Sequence, residues 1–419
     1  MVRIALVTGG SRGDFQPYLA LGAELRRRGY EVVVVTYAPY KRAVEDLGLS
    51  FVGVSGDPMK IVEVLTEAGG DFVRFARRFR RVLEPSIEQN FEETLEGCRG
   101  ADAVVYASVA FLGFVAAREL SIPSIMAEMQ PLFEPTGRFP SAVVPEGPRW
   151  LRRPYNRLSY AVVRQIYWQT FRPMLEKIEE RRTDLERLPR LRSPWGALKR
   201  SGSPVLCGWS PRVLPRPASW DERLRVTGYW FLDRATSWSP PSGLERFLRD
   251  GAPTVAIGFS SVRAGANVRN ALDRVLRAAD ASGMRVVFVG GWSGITGQAL
   301  PSSAFAVEDA PHDWLFPRVS AVVHHGGAGT TAAALRAGVP SVVLPFSADQ
   351  AFWGRAVERV GAGVLGTGKG GDAPADLERA LALVLEERLR AGAGAIGDEL
   401  RRERGAAVAC DVIERSVGR

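Results

Sequence analysis

The sequence is poor in the residues that usually build metal sites and disulfide frameworks. Its 419 residues include only three histidines and three cysteines. Cys98, Cys207 and Cys410 are widely spaced and form no Cys-x-x-Cys pair, which argues against a zinc site and against disulfides. No Asp-x-Asp motif occurs, so the chain lacks the paired carboxylates with which a metal-dependent sugar-nucleotide enzyme would hold Mg²⁺ or Mn²⁺. We therefore expect neither a metal nor another cofactor.

Long apolar runs are also missing. No stretch approaches the roughly 20 residues needed to span a bilayer. The N-terminus enters an apolar segment, VRIALVT, without the basic region and cleavage site of a secretory signal. Together with the unpaired cysteines, these absences predict a cytoplasmic protein.

Acidic residues are outnumbered: 46 Asp and Glu stand against 55 Lys and Arg, for a net charge of +9. The arginines cluster in segments 74–81 and 149–200. Solvated helix faces are the plainer explanation, and weak attraction to an anionic ligand or peripheral contact with anionic membranes is the alternative. Nothing resembles a nucleic-acid-binding module, so we expect no nucleic acid partner.

The pattern of apolar segments predicts an α/β protein of two doubly wound domains. Short apolar strands such as IALVT, EVVVVT and DAVVYAS alternate with amphipathic helices, stop at a segment rich in Pro and Trp, and then resume. The predicted boundaries are an N-terminal domain over 1–226, a linker over 227–242 and a C-terminal domain over 243–400. A last helix over 401–419 would cross back onto the first domain. Ligands of such proteins bind at the carboxyl ends of the strands and between domains.

The stretch VVHHGGAGTTAAALRAG, residues 322–338, predicts an anion site. A strand delivers histidines to a glycine-rich turn at a helix start, where free N–H groups and the helix dipole favour a phosphate. His325 could add a donor. An ordinary tight turn with Thr330 as N-cap is the alternative. The turn is neither a Walker A loop nor a Gly-x-Gly-x-x-Gly motif, which disfavours ATP and NAD.

The first strand-to-helix corner, GGSRGDFQ, contains a single acid, Asp14, and no histidine lies in this half of the chain. A carboxylate must therefore serve as any proton acceptor here. Its ordinary pKa near 3.9 makes it a weak base. Burial would raise that pKa and a helix N-terminus would lower it. A second interpretation stays open, in which Asp14 is the N-cap of a helix over 15–28.

Two further loops follow strands of the second half. AIGFSS ends in Ser260 and Ser261, whose hydroxyls either face a diphosphate or form an ordinary turn. PFSADQ ends in Asp349 and Gln350. An adjacent carboxylate and amide can bind vicinal hydroxyls of a sugar, although helix capping by Asp349 explains the pair as well.

Four separated motifs resemble, in order, the signatures of one family. GSRGDFQPYLALG, VTGYWFLD, PHDWLFPRVSAVVHHGGAGTT and PFSADQAFWG are similar to segments of inverting GT-B-fold glycosyltransferases, which include sterol glucosyltransferases and the antibiotic glycosyltransferases of actinobacteria. The resemblance covers nearly the whole chain. It implies two Rossmann-like domains facing across a cleft, the first binding the acceptor and the second the nucleotide-sugar donor.

The resemblance also implies roles for individual residues. Asp14 would be the catalytic base, Asp349 and Gln350 would bind the donor sugar, and His312 and Trp314 would lie near the nucleobase. The segment MAEMQPLFEPTGRF resembles the acceptor-side loop, although core packing explains its methionines equally well. GFSSV departs from the family's usual Gly-Phe-Gly-Ser. The implied diphosphate contacts are Ser11, Ser261, His325, Gly327, Gly329 and Thr330, and the implied acceptor pocket contains Met126, Met129, Phe133 and Phe139.

The expected function is metal-independent, inverting transfer of a hexose, with glucose favoured, from a UDP-sugar to a hydroxyl of a lipophilic small molecule. A sterol, a polyketide or macrolide, or a phenolic natural product fits an apolar pocket. UDP-sugar or TDP-sugar would be a co-substrate rather than a cofactor. The alternatives are a TDP-deoxysugar-dependent antibiotic glycosyltransferase, a sugar-nucleotide epimerase and a non-catalytic nucleotide-binding activator.

Overall fold

The chain folds into two compact units. The computed structural model describes residues 1–60, 63–64, 72–181, 195–234, 238–249, 251–258, 266–290, 300–346, 348–366 and 374–418. Unit 1 comprises Met1–Pro211, Pro215–Leu232 and Arg404–Arg419, and unit 2 comprises Arg212–Leu214 and Asp233–Glu403. The first unit thus extends to Leu232, inside the segment 227–242 predicted as a linker. Within the described ranges, no helix has both the length and the apolarity needed to cross a bilayer.

Unit 1 is built on a parallel sheet of seven strands. Apolar, β-branched segments form its central strands, which are buried on both faces because helices cover each side. The strand order is β3-β2-β1-β4-β5-β6-β7. The strands are β1 (Arg3–Val7), β2 (Glu31–Tyr37), β3 (Ser50–Val54), β4 (Ala103–Ala107), β5 (Ser124–Glu128), β6 (Val205–Cys207) and β7 (Leu224–Val226).

Within the described ranges, seven α-helices of unit 1 precede its C-terminal segment. The longest of them contains 30 residues and lies in the segment between β5 and β6. The helices are α1 (Arg12–Arg27), α2 (Lys41–Glu45), α3 (Phe72–Leu83), α4 (Ile87–Cys98), α5 (Leu112–Glu119), α6 (Arg152–Arg181) and α7 (Trp195–Arg200).

Unit 2 repeats the design with six parallel strands in the order β10-β9-β8-β11-β12-β13. Its strands are β8 (Thr254–Gly258), β9 (Arg285–Val289), β10 (Ala304–Val307), β11 (Ala321–His324), β12 (Ser341–Val343) and β13 (Gly363–Leu365). Its helices are α8 (Leu244–Arg249), α9 (Ala266–Ala281), α10 (His312–Leu315), α11 (Ala328–Ala337), α12 (Ala348–Arg359), α13 (Pro374–Val384) and α14 (Glu387–Arg402). The prediction of an α/β protein with two doubly wound sheets is confirmed.

The last helix, α15 (Gly405–Ser416), belongs to unit 1 and packs on α1. Arg28, at the end of α1, donates hydrogen bonds to Asp411 (2.6 Å), Glu414 (3.0 Å) and the carbonyl of Ala407 (2.9 Å). Cys410 and Ile413 enter the same apolar core as Leu21 and Leu25 of α1. This packing holds the C-terminal segment against the helix that follows β1.

Candidate active site

Both glycine-rich corners lie where the strand order of their sheet reverses. In unit 1, β1 lies between β2 and β4, and the chain proceeds from β1 to one side and from β4 to the other. In unit 2 the same reversal separates β8 from β11. Ligands of open parallel sheets bind at such switch points, at the carboxyl ends of the strands. The topology thus points to the carboxyl ends of β1 and β4 in unit 1 and of β8 and β11 in unit 2, and the glycine-rich corners follow β1 and β11.

At the first corner, Asp14 is the third residue of α1 and closes back on the N-cap, Ser11. The Asp14 Oδ2 accepts hydrogen bonds from the Ser11 N–H (2.9 Å) and the Ser11 hydroxyl (2.8 Å). This is the backward half of a capping box. The predicted helix over 15–28, with Asp14 as N-cap, is therefore wrong. α1 begins at Arg12. Its first turn is polar and shows no apolar periodicity in the sequence, and the hydrogen bonds between Ser11 and Asp14 fix it instead.

Neighbouring groups shape the space around this carboxylate. Gly10 adopts φ +98°, and a Cβ there would come within 2.7 Å of the Asp14 Oδ2. The Tyr40 hydroxyl donates a hydrogen bond to the carbonyl of Gly10 (3.0 Å), and its ring stacks on Phe15 with centroids 4.3 Å apart. Tyr40 thus anchors the turn before α1. At position 10, only glycine leaves room for the Asp14 carboxylate. Sequence reasoning did not find Tyr40, which reaches the turn from beyond β2.

Burial raises the pKa of Asp14, and the two hydrogen bonds from Ser11 lower it in part. The net direction of the pKa shift is upward. A carboxylate with a raised pKa is a better proton acceptor than a free aspartate. The residue is consequently both a helix-capping group and a candidate base.

At the second corner, a buried histidine fixes the glycine turn. His324 is fully buried at the end of β11, and its Nδ1 accepts a hydrogen bond from the N–H of Gly326 (3.0 Å). Gly326 has φ +89°, and a Cβ there would lie 2.6 Å from the carbonyl oxygen of Gln350. Burial, with the neighbouring histidines, lowers the pKa of His324 to about 3, so this ring is neutral. The sequence pattern gives His324 no role, and its position directly before His325 is the signal that could have found it.

His325 lies inside the turn, 8% exposed, beside the backbone of Gly327. Burial lowers its pKa to about 4, and a hydrogen bond with the backbone of Gly258 offsets part of that effect. Its Nδ1 is buried without a hydrogen-bond partner in the described part of the chain. A neutral imidazole has one N–H donor, so His325 can offer it either to the Gly258 carbonyl or to an anion.

The start of α11 leaves its backbone accessible. Gly327 is the N-cap, and Gly329 is exposed in the first turn, where an added Cβ would meet no atom within 4 Å. Thr330 is buried in the same turn. The alternative with Thr330 as N-cap is wrong, since the helix begins at Ala328. A helix N-terminus with a glycine and open space above it has the geometry of an anion site.

The predicted sugar-binding pair lies at the start of α12. Asp349 is half-buried in the first turn of that helix, and Gln350 is 7% exposed. The Gln350 Oε1 accepts a hydrogen bond from the N–H of Phe346 (2.7 Å), and its backbone packs against Gly326. The structure thus brings this pair beside the glycine turn, whereas Ser260 and Ser261 lie outside the described residues.

The predicted nucleobase residues have different surroundings. His312 begins α10 half-buried and stacks on Phe316, with ring centroids 4.4 Å apart. Trp314 is 7% exposed within an apolar core cluster, edge-on to Trp238 and beneath the Arg318 guanidinium. Trp314 therefore serves core packing, and His312 has the more accessible ring.

The predicted acceptor residues lie at and beyond the end of β5. Met126 is buried within that strand, Met129 follows it half-buried, and Phe133 stacks on Trp195 with centroids 4.3 Å apart. Phe133 also meets the Tyr167 ring of α6 edge-on at 4.8 Å. Phe139 lies 7% exposed against Trp220. Phe133 and Phe139 thus each pack against aromatic side chains of unit 1.

One buried acid in this region escaped sequence reasoning. Glu128, the last residue of β5, is 1% exposed, and burial raises the pKa of its carboxyl well above the usual range. Arg164 is a nearby counter-charge and forms a salt bridge with Glu134 (3.3 Å). The alternation of β5 gave no sign that this end of the strand would be enclosed. Within the described ranges no group of three or more His, Cys, Asp or Glu residues could hold a metal ion.

Comparison of the sequence with known protein families supports this two-domain architecture. Residues 4–133 match the family model of the glycosyltransferase family 28 N-terminal domain, and residues 286–414 match that of the erythromycin biosynthesis protein CIII-like C-terminal domain. The sterol 3-beta-glucosyltransferase of Cryptococcus neoformans is 32% identical over 99% of this chain. The chain has the GT-B fold of glycosyltransferases. The resemblance read from the four motifs is thereby confirmed.

Solved structures show the same fold at low sequence identity. A glycosyltransferase of kitacinnamycin superposes with a TM-score of 0.72 at 20% identity, covering 99% of both chains. The Streptomyces sp. SF2575 glycosyltransferase SsfS6, complexed with thymidine diphosphate, gives 0.64 at 19% identity over 99% of this chain and all of that one. This GT-B chain spans only 27% of the length of the Cryptococcus relative.

Proposed function

We propose that this GT-B protein transfers a hexose, with inversion, from a nucleotide-diphosphate sugar to a hydroxyl of a lipophilic small molecule. The observation that carries the proposal is the open helix start after β11. Gly329 leaves space over the first turn of α11, and the buried, neutral His325 lies beside the same turn. Backbone N–H groups there would stabilise a diphosphate as it leaves.

The proton would be handled by Asp14. The acceptor O–H proton passes to the Asp14 carboxylate while the acceptor oxygen forms a bond to the anomeric carbon. The bond from that carbon to the diphosphate oxygen breaks, and the diphosphate leaves with the electron pair. The raised pKa of Asp14 supports this role, since it brings the base closer to neutral pH.

Binding of the sugar and of the base of the nucleotide would use the remaining residues. Asp349 and Gln350 flank the glycine turn and could bind sugar hydroxyls, and His312 presents a stackable ring. The Ser11 hydroxyl would contact the diphosphate from the first corner. No metal enters this mechanism, because the helix N-terminus and His325 would meet the diphosphate charge.

The donor is proposed to be UDP-glucose. The glucosyl part is supported by relatives named sterol 3-beta-glucosyltransferase, which share 31–33% identity with this chain. A TDP-sugar is the second candidate, because a structural neighbour of the same fold is complexed with thymidine diphosphate. The acceptor class is proposed from the apolar cluster beside Met129 and the aromatic contacts of Phe133.

The test is a mixed panel of sterols, macrolides and phenols, incubated with UDP-glucose or TDP-glucose in the presence of EDTA and analysed by mass spectrometry. We expect a product heavier by one hexose, and we expect Asp14→Asn to abolish it while binding of UDP is kept. An isomerised sugar nucleotide formed without acceptor would favour an epimerase. Nucleotide binding with neither product would favour a non-catalytic activator.

A further inference from the structure

One face of α6 and the turn before it exposes large apolar side chains among arginines. Trp150 is 83% exposed, Leu158 63% and Val162 46%. Such groups rarely lie together on a soluble surface without a partner. We call this surface the α6 patch, and it comprises Trp150, Leu151, Leu158 and Val162 with Arg149, Arg152, Arg153 and Arg157.

The outward direction of the patch is fixed by the opposite face of the helix. Asn156 is 1% exposed and donates a hydrogen bond to the carbonyl of Gly137 (3.1 Å). The Ser159 hydroxyl accepts one from the N–H of Ser141 (2.9 Å). With 3.6 residues per turn, Leu158 and Val162 must then point away from unit 1. The exposed apolar side chains therefore do not belong to the face of α6 that packs on the core of unit 1.

The turn that carries Trp150 is also anchored. The Tyr155 hydroxyl donates a hydrogen bond to the carbonyl of Pro145 (3.0 Å). Its ring packs directly over Gly147, where a Cβ would overlap it. The tryptophan is thus presented at a defined place at the beginning of α6.

Charge identifies the kind of partner. Residues 147–175 contain six arginines and no acidic residue. In the described part of the chain, none of the four arginines of the patch forms a salt bridge. An apolar stripe with tryptophan and four neighbouring arginines matches a bilayer surface, where apolar groups enter the headgroup boundary and arginines meet lipid phosphates.

We propose that the α6 patch docks the protein on the surface of a bilayer containing anionic phospholipid. This inference goes beyond the proposed transfer reaction and does not depend on it. It has a consequence for that reaction, however. The buried face of α6 supplies Tyr167, which packs on Phe133 in the proposed acceptor pocket. One helix thus faces lipid on one side and the proposed pocket for a lipophilic acceptor on the other.

Co-sedimentation of the full chain with vesicles tests the proposal without any assay of activity. The probes are vesicles of phosphatidylcholine alone and vesicles of equal parts phosphatidylcholine and phosphatidylglycerol. We expect binding to the anionic vesicles only. The triple variant Arg149→Gln, Arg153→Gln, Arg157→Gln should bind roughly a hundredfold more weakly. The double variant Trp150→Ser, Leu158→Ser should bind at least about tenfold more weakly.

Matched controls separate the patch from general basicity. Three exposed arginines elsewhere, Arg379, Arg388 and Arg415, are changed to Gln in one control, and the exposed Val408 is changed to Ser in another. Both controls should bind like the unchanged chain, and all variants should keep its melting temperature.

Three results would overturn the proposal. The first is no binding to either vesicle. The second is equal loss of binding in the patch and control arginine variants. The third is a concentration-dependent dimer that Trp150→Ser, Leu158→Ser dissolves in light scattering, since the patch would then be an interface between copies of this chain.

Discussion

Two glycines in the turn after β11 should respond in opposite ways to the same substitution. Gly326 and Gly329 are three residues apart, but only Gly326 is constrained by the folded chain. It has φ +89°, and a Cβ would lie 2.6 Å from the Gln350 carbonyl oxygen and 2.7 Å from Val343. Gly329 has open space where its Cβ would be. We therefore expect Gly326→Ala to damage the fold and Gly329→Ala to damage only ligand binding.

The magnitudes follow from these contacts. In Gly326→Ala, the left-handed backbone costs about 1–3 kcal/mol and the overlap about as much again, so unfolding becomes easier by about 2–6 kcal/mol. For a unit of this size that lowers the melting temperature by roughly 5–20 °C. Gly329→Ala should instead stabilise α11 by about 0.5 kcal/mol, because alanine favours the helix.

Binding separates the two variants further. A methyl group over the first turn of α11 would occupy the space in which we place the diphosphate. UDP-glucose and TDP-glucose should bind Gly329→Ala at least about tenfold more weakly. Titration calorimetry and thermal unfolding measure both quantities. Gly394→Ala is the matched control, because Gly394 lies inside α14 and also has open space at its Cβ, but away from the turn in sequence.

Equally tight binding of both sugar nucleotides by Gly329→Ala and the unchanged chain would contradict a diphosphate site at this turn. The open space over α11 would then be ordinary surface and not an anion site. An unchanged melting temperature in Gly326→Ala would contradict the steric argument, because the crowding at that turn would then be relieved at no cost.

Three further outcomes are expected. Because burial raises the pKa of Asp14, the acid limb of the pH–rate profile should lie above the ordinary aspartate pKa. Asp14→Asn should not lower stability at neutral pH, because an ionised carboxylate with a raised pKa destabilises the folded state at that pH. UDP-glucose should bind more tightly as pH falls from 7 toward 5, because a bound diphosphate would raise the low pKa of His325 and draw a proton to it; His325→Gln should remove this dependence. Arg28→Met should lower the free energy of unfolding by about 2 kcal/mol in urea titrations, because the Asp411 and Glu414 carboxylates of α15 lose their partner.

Control variants test the assigned roles of Asp14, His325 and Arg28. Ser11→Ala removes a hydrogen bond that lowers the pKa of Asp14, so its acid limb should move upward. A loss of several degrees in Asp14→Asn would reduce Asp14 to a capping residue. Affinity for UDP-glucose that is flat with pH would place His325 away from the diphosphate. Arg27→Met, at an exposed neighbour paired with Glu24, should leave stability nearly unchanged, and an effect equal to that of Arg28→Met would contradict the role of α15.

Local patterns were enough to predict the two sheets and the residues of both corners. Strands that are buried on both faces can be recognised in the sequence as short apolar runs. A glycine-rich turn followed by a helix is a recognisable pattern as well. The motifs around Asp14 and His325 could therefore be located before any contact was known. The start of α1 was predicted too late because its first turn is polar and its order comes from the cap formed by Ser11 and Asp14.

Other features depended on residues far apart in the chain. The packing of α15 on α1 joins Arg28 to Glu414, and the enclosure of Glu128 depends on a loop and a helix that follow it. Likewise, the neutral state of His324 follows from complete burial. The sequence by itself determined which residue types stand at the strand ends. Tertiary structure decided their burial, and hence their pKa values and the space around them, because desolvation and steric room depend on every neighbour and not on the local pattern.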